Sequence, residues 1–205
     1  MSGWAPEEQA RSSSDRWVNP KKWEEVTEDK KPVKRFRFRV LTPVSVGWEV
    51  WGTDDKPHRA KTKAELAGVE LRDDRFNPGK KEQPKETWAV GVVDVDAQMV
   101  KVWTFALATV KNAFRSVTAE WGSPFDYDLV CKQGKASDGK TVYSLTVHPS
   151  GKTPLEAHAG AAEWAAMKAA GFDLEAVWTG GDPFPSAPAA SDSGGNVGAA
   201  GDLPF

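Results

Sequence analysis

The sequence predicts a mainly β fold, specifically a five-stranded β-barrel of the OB type. Segments in which apolar and polar residues alternate are typical of half-buried strands, and such segments recur between residues 34 and 147. With one long insertion and the strand directly before it left aside, the order is three strands, a helix and two strands. An OB barrel has its helix between the third and fourth strands. A small β-sandwich or an SH3-like barrel with added helices would give a similar order.

The first predicted strands are KRFRFRVL (34–41) and VSVGWEVWG (44–52), which precede the insertion. In the first of them phenylalanines alternate with arginines, so apolar and basic side chains take opposite faces. TWAVGVVDV (87–95) and MVKVWTF (99–105) follow the insertion. They form the clearest pair of neighbouring strands, because a short polar link between two strand patterns favours a hairpin.

The segment ALATVKNAFRSVTAEWG (106–122) has apolar residues at helical spacing and predicts an amphipathic helix that ends at a glycine. Strands are predicted again at 127–132 and 141–147, and a second helix at 154–171. The residues beyond about 180 are mostly Pro, Gly, Ala, Ser and Asp. Such a composition offers too little apolar surface to order itself.

These patterns divide the chain into three parts. Residues 1–30 form a polar N-terminal arm, residues 31–178 form the OB domain, and residues 179–205 form a disordered acidic tail. Within the domain, the charged insertion at 53–86 has the composition of a loop, with a short helix near 62–68 as its one candidate element. A loop of this length inside a compact domain is usually functional or mobile.

The charges of the chain are segregated. The first 172 residues contain 27 basic and 24 acidic residues, whereas the remainder contains five acidic residues and no basic one. This asymmetry predicts a mildly basic body with an acidic tail. The sequence has no run of 18 apolar residues, and its first residues lack the pattern of a signal peptide. We therefore expect a cytoplasmic protein without a membrane partner.

Motifs for catalysis and for metal binding are missing from the sequence, so we expect no enzymatic activity and no cofactor. The histidines, His58, His148 and His158, are far apart and none has a metal-binding spacing. The single cysteine, Cys131, lies in an apolar strand pattern that favours a core position. The Asp-Val-Asp segment at 94–96 falls in a predicted hairpin turn, where Asp is favoured for local hydrogen bonding.

Basic and aromatic residues interleave along the predicted strands. The arginines of strand 34–41 repeat about every 6–7 Å along one face, which is similar to the phosphate spacing of an extended nucleic-acid strand. Single-stranded nucleic acid is held by a basic groove with aromatic platforms, because every base has a flat face that stacks. The chain has ten tryptophans to supply such platforms. One of them, Trp88, shares a strand face with Val90 and Val92 and is assigned to the core. The residues predicted to contact the nucleic acid are Arg35, Arg37, Arg39, Trp48, Trp51, Arg59, Lys61, Lys101, Trp103, Lys132 and Tyr143.

The segments around the first helix resemble the single-stranded DNA-binding proteins of tailed phages, the helix-destabilising protein family. The resemblance covers roughly residues 33–150. Its motifs are an aromatic-opened strand, a WG-x-P-x-x-YD segment after the helix, and a T-x-Y strand that ends near a proline. The matching residues are Trp121, Gly122, Pro124, Tyr127, Asp128, Thr141, Tyr143 and Pro149. The resemblance implies an OB fold, no catalysis, and binding of single-stranded DNA during replication, recombination and repair.

One region departs from that family. Many of its members carry a Cys/His zinc-binding insertion after the Trp-rich segment, but residues 53–86 contain only His58 and no cysteine. We therefore expect no zinc and a reshaped insertion. Arg59, Lys61 and Lys63 of this segment are still candidates for contacts with DNA.

The last residues, GDLPF, resemble the tips of the acidic tails of bacterial and phage single-stranded DNA-binding proteins. A terminal ring and carboxylate suit an apolar pocket beside a basic residue of a partner. The resemblance implies that Asp202, Leu203, Pro204 and Phe205 recruit replication and recombination proteins.

The sequence thus predicts a non-enzymatic, phage-type single-stranded DNA-binding protein with a partner-recruiting tail. Self-association on DNA is left open. Two alternatives also stay open: an RNA-binding or RNA-chaperone protein of the OB type, and a virion structural or assembly protein whose tryptophans anchor interfaces.

Overall fold

The structure is a computed structural model that describes residues 13–75 and 77–185 of the 205-residue chain. This part is mainly β, as predicted, and neither of its α-helices has the length and hydropathy needed to cross a membrane. The strands are β1 (Glu24–Glu28), β2 (Lys31–Val40), β3 (Ser45–Trp51), β4 (Pro57–Ala60), β5 (Lys85–Asp94), β6 (Met99–Phe105), β7 (Tyr127–Lys135) and β8 (Thr141–Lys152). The helices are α1 (Ala108–Trp121) and α2 (Ala161–Ala169).

The eight strands form one antiparallel sheet with β2 at its centre. The main path is β4-β3-β5-β2-β7-β8, while β1 pairs with β2 and β6 pairs with β5. β2 changes partners along its length, since residues 34–39 pair with β7 and residues 38–40 pair with β5. Within the described residues β6 and β8 do not pair, so the sheet is not closed into a barrel.

One hydrophobic core lies between β2, the β5–β6 hairpin, α1 and the β7–β8 pair. Phe38 and Leu129 are fully buried at its centre. α1 contributes the middle of the apolar stripe that the sequence predicted, namely Val110, Phe114 and Val117. The predicted first helix is therefore confirmed, and its amphipathic pattern gives the face that packs.

A second core covers the opposite face of the β5–β6 hairpin. Val93, Val100 and Val102 pack there against side chains of the C-terminal segment 161–184. The indole Nε1 of Trp178 in this segment donates a hydrogen bond to Oγ of Ser45 at 2.7 Å. Both faces of the β5–β6 hairpin are consequently buried, which explains why its strands are apolar on both sides.

Phe184 belongs to this second core and shifts the boundary of the packed domain. Its ring centroid lies 5.5 Å from that of Phe172, and the guanidinium of Arg16 lies 5.3 Å from the Phe184 centroid. A tail was expected from residue 179, but Pro183 and Phe184 are buried, so the domain extends at least this far. The predicted partner-binding residues lie outside the described residues; they are Asp202, Leu203, Pro204 and Phe205.

The insertion that was predicted as a loop at 53–86 is largely folded. β4 pairs with β3 and extends the sheet by one strand beyond β3. A short 3-10 helix, Ala64–Leu66, then turns Leu66 onto Val50 and Ala60 to form a small third core. The insertion therefore adds a strand and a small core to the sheet, and it is not an unstructured loop.

The residues before β2, predicted as an arm, also pack on the domain. β1 and β2 form a hairpin through Asp29 and Lys30, whose φ angles of 49° and 62° suit a two-residue turn. Upstream, the N–H of Val18 donates to the carbonyl oxygen of Val102 at 2.9 Å, on the edge of β6 that faces away from β5. Trp23 is only 7% exposed. Its aromatic neighbours are Phe36, Trp103 and Tyr143.

Candidate nucleic-acid interface

The three arginines of β2 alternate with core phenylalanines as predicted, but their exposure falls along the strand. Arg35 is exposed, Arg37 is half-buried and Arg39 is 1% exposed. Arg39 forms an ion pair with Asp128 at 2.8 Å, and its Nη1 donates to the carbonyl oxygen of Thr153 at 2.7 Å. The prediction that Arg39 contacts DNA is wrong, because its guanidinium is buried and hydrogen-bonded within the protein.

Asp128 is the centre of a buried charge cluster. One carboxylate oxygen accepts from Nη2 of Arg37 at 2.6 Å and the other from Nε of Arg39 at 2.8 Å, while Nε2 of His158 lies 3.3 Å away. Burial raises the pKa of Asp128, but its hydrogen bonds with Arg37 and Arg39 outweigh burial and hold that pKa below its ordinary value. The cluster therefore keeps an ionised carboxylate inside the protein and ties β2 and β7 to the segment before α2.

His158 makes the stability of this cluster sensitive to mild acid. Its Nδ1 accepts the N–H of Gly160 at 3.0 Å, so the neutral ring carries its proton on Nε2, towards Asp128. Burial lowers the pKa of His158 below 6.5, and the neighbouring arginines add to the effect although Asp128 opposes it. The unfolded chain therefore takes up a proton on His158 at a higher pH than the folded chain does, and the folded state loses stability as the pH falls below about 6.5.

We expect the thermal unfolding midpoint to fall between about pH 8 and pH 5, and to fall less in His158→Gln, whose side chain does not titrate. Differential scanning fluorimetry of both proteins across this range measures the difference. An equal pH dependence in wild type and variant would contradict the assignment. The contribution of Asp128 is lost only at lower pH, as the pH falls from 3.8 through its depressed folded-state pKa.

Acidic residues of β1 form ion pairs with the other basic side chains on this face. Glu24 stands opposite Arg35 in the β1–β2 hairpin, and the two side chains form an ion pair at 2.6 Å. Glu28 pairs with Lys132 of β7 at 2.8 Å. A phosphate reaches Arg35 or Lys132 only in competition with these carboxylates. The face is less basic than predicted, because the sequence did not indicate that β1 lies beside it.

Trp103 is part of the core. It is 3% exposed, and its ring centroid lies 5.1 Å from Phe38 and 4.7 Å from Phe105. The prediction that Trp103 stacks on a base is wrong, because other aromatic rings enclose its indole.

Lys101 and Tyr143 are partly buried and each has a partner in the protein. Nζ of Lys101 lies 2.7 Å from Oδ2 of Asp94. The hydroxyl oxygen of Tyr143 accepts from Nε2 of Gln133 at 2.7 Å. Each side chain is therefore held by a contact within the protein.

Trp51, Arg59 and Lys61 lie on the widened side of the sheet, where each also has a partner. The guanidinium of Arg72 stands 4.4 Å from the centroid of Trp51 and covers that ring. The ion-pair partners are Glu49 for Arg59, at 2.7 Å, and Glu175 for Lys61, at 2.6 Å.

Trp48 and Trp88 lie on one face of the β3–β5 pair, and both are partly exposed. Val46 stands directly opposite Trp88, and Trp48 stands directly opposite Glu86. Opposite residues share a face, so the two tryptophans are diagonal neighbours on that face. The Cα atoms of such neighbours are about 7–8 Å apart. Val46, which is 41% exposed, lies beside both rings.

Cationic side chains stand over both rings. Nζ of Lys63 lies 5.8 Å from the centroid of Trp48, and the guanidinium of Arg115 in α1 lies 4.8 Å from the centroid of Trp88. Neither cation forms an ion pair within the part of the chain that the structure describes. Val46, Trp48, Lys63, Trp88 and Arg115 together form what we term the Trp48–Trp88 surface.

The indole of Trp88 is held in place by polar contacts at its edge. Its Nε1 donates to Oε1 of Glu86 at 3.1 Å, and Nζ of Lys111 lies 3.0 Å from the same oxygen. Hydrogen bonds from Lys111 and Trp88 lower the pKa of Glu86. The ring is therefore already oriented in the free protein. This preorganisation reduces the loss of conformational entropy when a ligand binds.

Sequence reasoning named Trp48 but treated Trp88 as a core residue and did not single out Arg115. A usable signal was present in the first helix, where Lys111 and Arg115 are four residues apart and so share a face. The sequence could not show that this face lies over the strand that carries Trp88, because that contact joins residues far apart in the chain.

The described residues offer little for metal or thiol chemistry. Within 13–75 and 77–185, no three His, Cys, Asp or Glu side chains are grouped as a metal site requires. Cys131 is buried as predicted, and burial raises the pKa of its thiol to about 12.

Comparisons of the chain with protein-family models, with curated proteins and with solved structures find no match.

Proposed function

We propose that this protein binds single-stranded DNA, without catalysis, on the Trp48–Trp88 surface. One observation carries the proposal: two partly exposed indoles share a sheet face, and each has beside it a cation without an ion-pair partner among the described residues. A base that stacks on an indole contributes about 1–3 kcal/mol to binding with little sequence preference, and Lys and Arg hold the backbone phosphates.

An OB fold, whose five-stranded barrel is partly open, is the fold that we propose for the sheet. If β2, β5, β6, β7 and β8 are counted as the five strands, α1 falls between the third and the fourth, as in OB folds. β2 then pairs with the second and fourth strands, at its two ends. The remaining strands, β1, β3 and β4, are additions, and β3 carries Trp48 onto the edge of the barrel. OB folds commonly bind oligonucleotides.

When a nucleotide binds on this surface, Lys63 and Arg115 exchange their contact with an indole for a contact with a phosphate. In the free protein Lys63 and Arg115 are held over the indoles by cation–π attraction, which contributes about 0.5–1 kcal/mol at exposed sites. A base that stacks on an indole displaces the cation from that ring face. The displaced ammonium or guanidinium then meets the phosphate of the same nucleotide, where it forms a charge-assisted hydrogen bond.

We further propose that the protein acts in phage DNA replication, recombination and repair. The support for this role is the resemblance of residues 33–150 to phage proteins and the GDLPF sequence at 201–205. In this proposal, Asp202, Leu203, Pro204 and Phe205 recruit the proteins that process the bound strand.

Quenching of tryptophan fluorescence by oligonucleotides tests DNA binding. We expect a DNA oligonucleotide of about twelve residues to quench the emission, and its affinity to fall steeply between about 50 and 200 mM salt. Equal or tighter binding of the matching RNA would favour the RNA-binding alternative. A lack of any salt-sensitive binding would favour a structural or assembly role.

Arg115→Ala is expected to reduce the slope of log affinity against log salt by about one unit, because one phosphate contact is lost. Arg35→Ala is the matched control, since it removes the same charge from an arginine that Glu24 already pairs. We expect the control to change the slope less. A larger change in Arg35→Ala would place the DNA on the β2 face and overturn the proposed surface.

A further inference from the structure

One acidic residue lies within the Trp48–Trp88 surface. Glu86 stands directly opposite Trp48 and two residues before Trp88 on β5, so its side chain shares the face of both indoles. That side chain is 45% exposed. A carboxylate repels phosphates, so Glu86 cannot serve to hold the backbone of a bound strand. Its position beside two stacking rings places it next to the bases.

Contacts within the protein fix the position of this carboxylate and leave one of its oxygens without a partner. Oε1 accepts from Nε1 of Trp88 at 3.1 Å and from Nζ of Lys111 at 3.0 Å. Oε2 accepts no hydrogen bond within the described residues. The carboxylate is therefore held at the edge of the Trp88 ring, where Oε2 is within reach of a base that stacks on that ring.

The carboxylate of Glu86 is ionised and acts only as an acceptor. Hydrogen bonds from Lys111 and Trp88 lower the pKa of Glu86, and the charges of Lys111 and Arg115 act in the same direction. An ionised carboxylate accepts hydrogen bonds and donates none. It consequently attracts the N–H groups on the edge of a base and repels the carbonyl oxygens.

We infer that Glu86 contacts the Watson–Crick edge of a base stacked on Trp88 and selects guanine. Unpaired bases are commonly recognised on this edge while they stack on an aromatic side chain. Guanine places two donors, N1–H and the N2 amine, side by side. In cytosine and adenine the amine stands beside a ring nitrogen that accepts, and in thymine the single N–H stands between two carbonyl oxygens.

The inference rests on the proposed binding of single-stranded DNA to this surface, and it adds a preference that the other groups of the surface do not provide. Stacking on an indole depends little on which base is present. Lys63 and Arg115 meet phosphates, which every nucleotide carries. The carboxylate is thus the group on this surface that distinguishes one base edge from another, through a charge-assisted hydrogen bond.

The test compares two alternating oligonucleotides of about twelve residues, one of thymidine with deoxyguanosine and one of thymidine with deoxyinosine. Hypoxanthine, the base of inosine, is guanine without the N2 amine, so the two strands match in charge and in their stacking rings. We expect wild type to bind the guanine strand about tenfold more tightly, as one hydrogen bond to a charged group provides.

Glu86→Gln is expected to reduce that ratio to about one. Its amide oxygen can still accept from Trp88 and Lys111, but its amide nitrogen is a donor and does not accept the guanine amine. The ratio is measured within each variant, so a loss of stability that weakens both affinities equally leaves it unchanged.

Glu120→Gln is the matched control, since it removes an exposed acid that forms no ion pair among the described residues. It is expected to raise the affinity for both strands slightly and to keep the wild-type ratio. A ratio that falls equally in this control would overturn the inference, because the effect would then be one of overall charge.

A wild-type ratio of about one, or an unchanged ratio in Glu86→Gln, would also overturn the inference and would leave the proposed function standing. Failure of wild type to bind either strand is a different result and would overturn the proposed function itself.

Discussion

Replacement of Asp128 by alanine is expected to lower the free energy of unfolding by about 3–5 kcal/mol, because it leaves a buried arginine without its counter-ion. The guanidinium of Arg39 is 1% exposed and cannot turn to solvent, and Arg37 loses its partner at the same time. Urea unfolding followed by tryptophan fluorescence measures the change. This loss approaches the whole stability of an ordinary domain.

Asp126→Ala is the matched control for that experiment. Asp126 lies two residues before Asp128, is exposed and forms no side-chain ion pair within the described residues. Its replacement is expected to change the unfolding free energy by less than about 0.5 kcal/mol. If Asp128→Ala proved as mild as the control, the buried cluster would contribute little and Arg39 would have to be solvated in the folded protein.

Replacement of both Trp48 and Trp88 by leucine is expected to weaken DNA binding by about 2–6 kcal/mol, which is at least about thirtyfold in affinity. Leucine keeps apolar volume next to the first core, against which Trp88 packs, but offers no flat ring for a base. Fluorescence anisotropy of a labelled oligonucleotide measures the change, because the remaining tryptophans then do not enter the signal.

Two further variants separate stacking from folding. The double variant with phenylalanine at both positions keeps aromatic faces and is expected to retain most of the affinity. Trp121, at the end of α1, is 40% exposed and does not belong to the Trp48–Trp88 surface. The variant Trp121→Leu is therefore expected to bind DNA as the wild type does. Wild-type affinity in the double leucine variant, with an unchanged unfolding midpoint, would rule out the Trp48–Trp88 surface as the DNA site.

The strands and the first helix could be predicted because their periodicity is local. The apolar alternation in β2 places Phe36 and Phe38 in the core, and the helical stripe gives Val110, Phe114 and Val117, all as expected. β1 was missed because Glu24–Glu28 is acidic, and its pairing depends on the turn at residues 29–30.

The errors at Arg39 and Trp103 have one physical origin. Alternation shows which residues share a face, but it does not show which faces other parts of the chain will cover. Arg39 is covered by the loops that carry Phe125 and Thr153, and Trp103 is covered by Trp23. These contacts join residues that are distant in sequence, so no local pattern indicates them.

Trp88 was assigned to the core, and it does pack against the first core, but it is partly exposed at the margin of that core. The sheet continues past the core through β3, so a side chain on the core face of β5 can lie beyond the core itself. The sequence predicted β3 as a strand but could not show that it pairs with β5, because the two segments are far apart in the chain.

The β5–β6 hairpin, buried on both faces, has a consequence for how the chain is made. Translation supplies Phe105 about eighty residues before Phe184, which at about 5–20 residues per second is roughly 4–16 s. For that interval the nascent chain carries an uncovered stripe that includes Val100 and Val102, the kind of surface that chaperones recognise. A gene truncated before codon 161, where the covering segment begins, would make that transient exposure permanent.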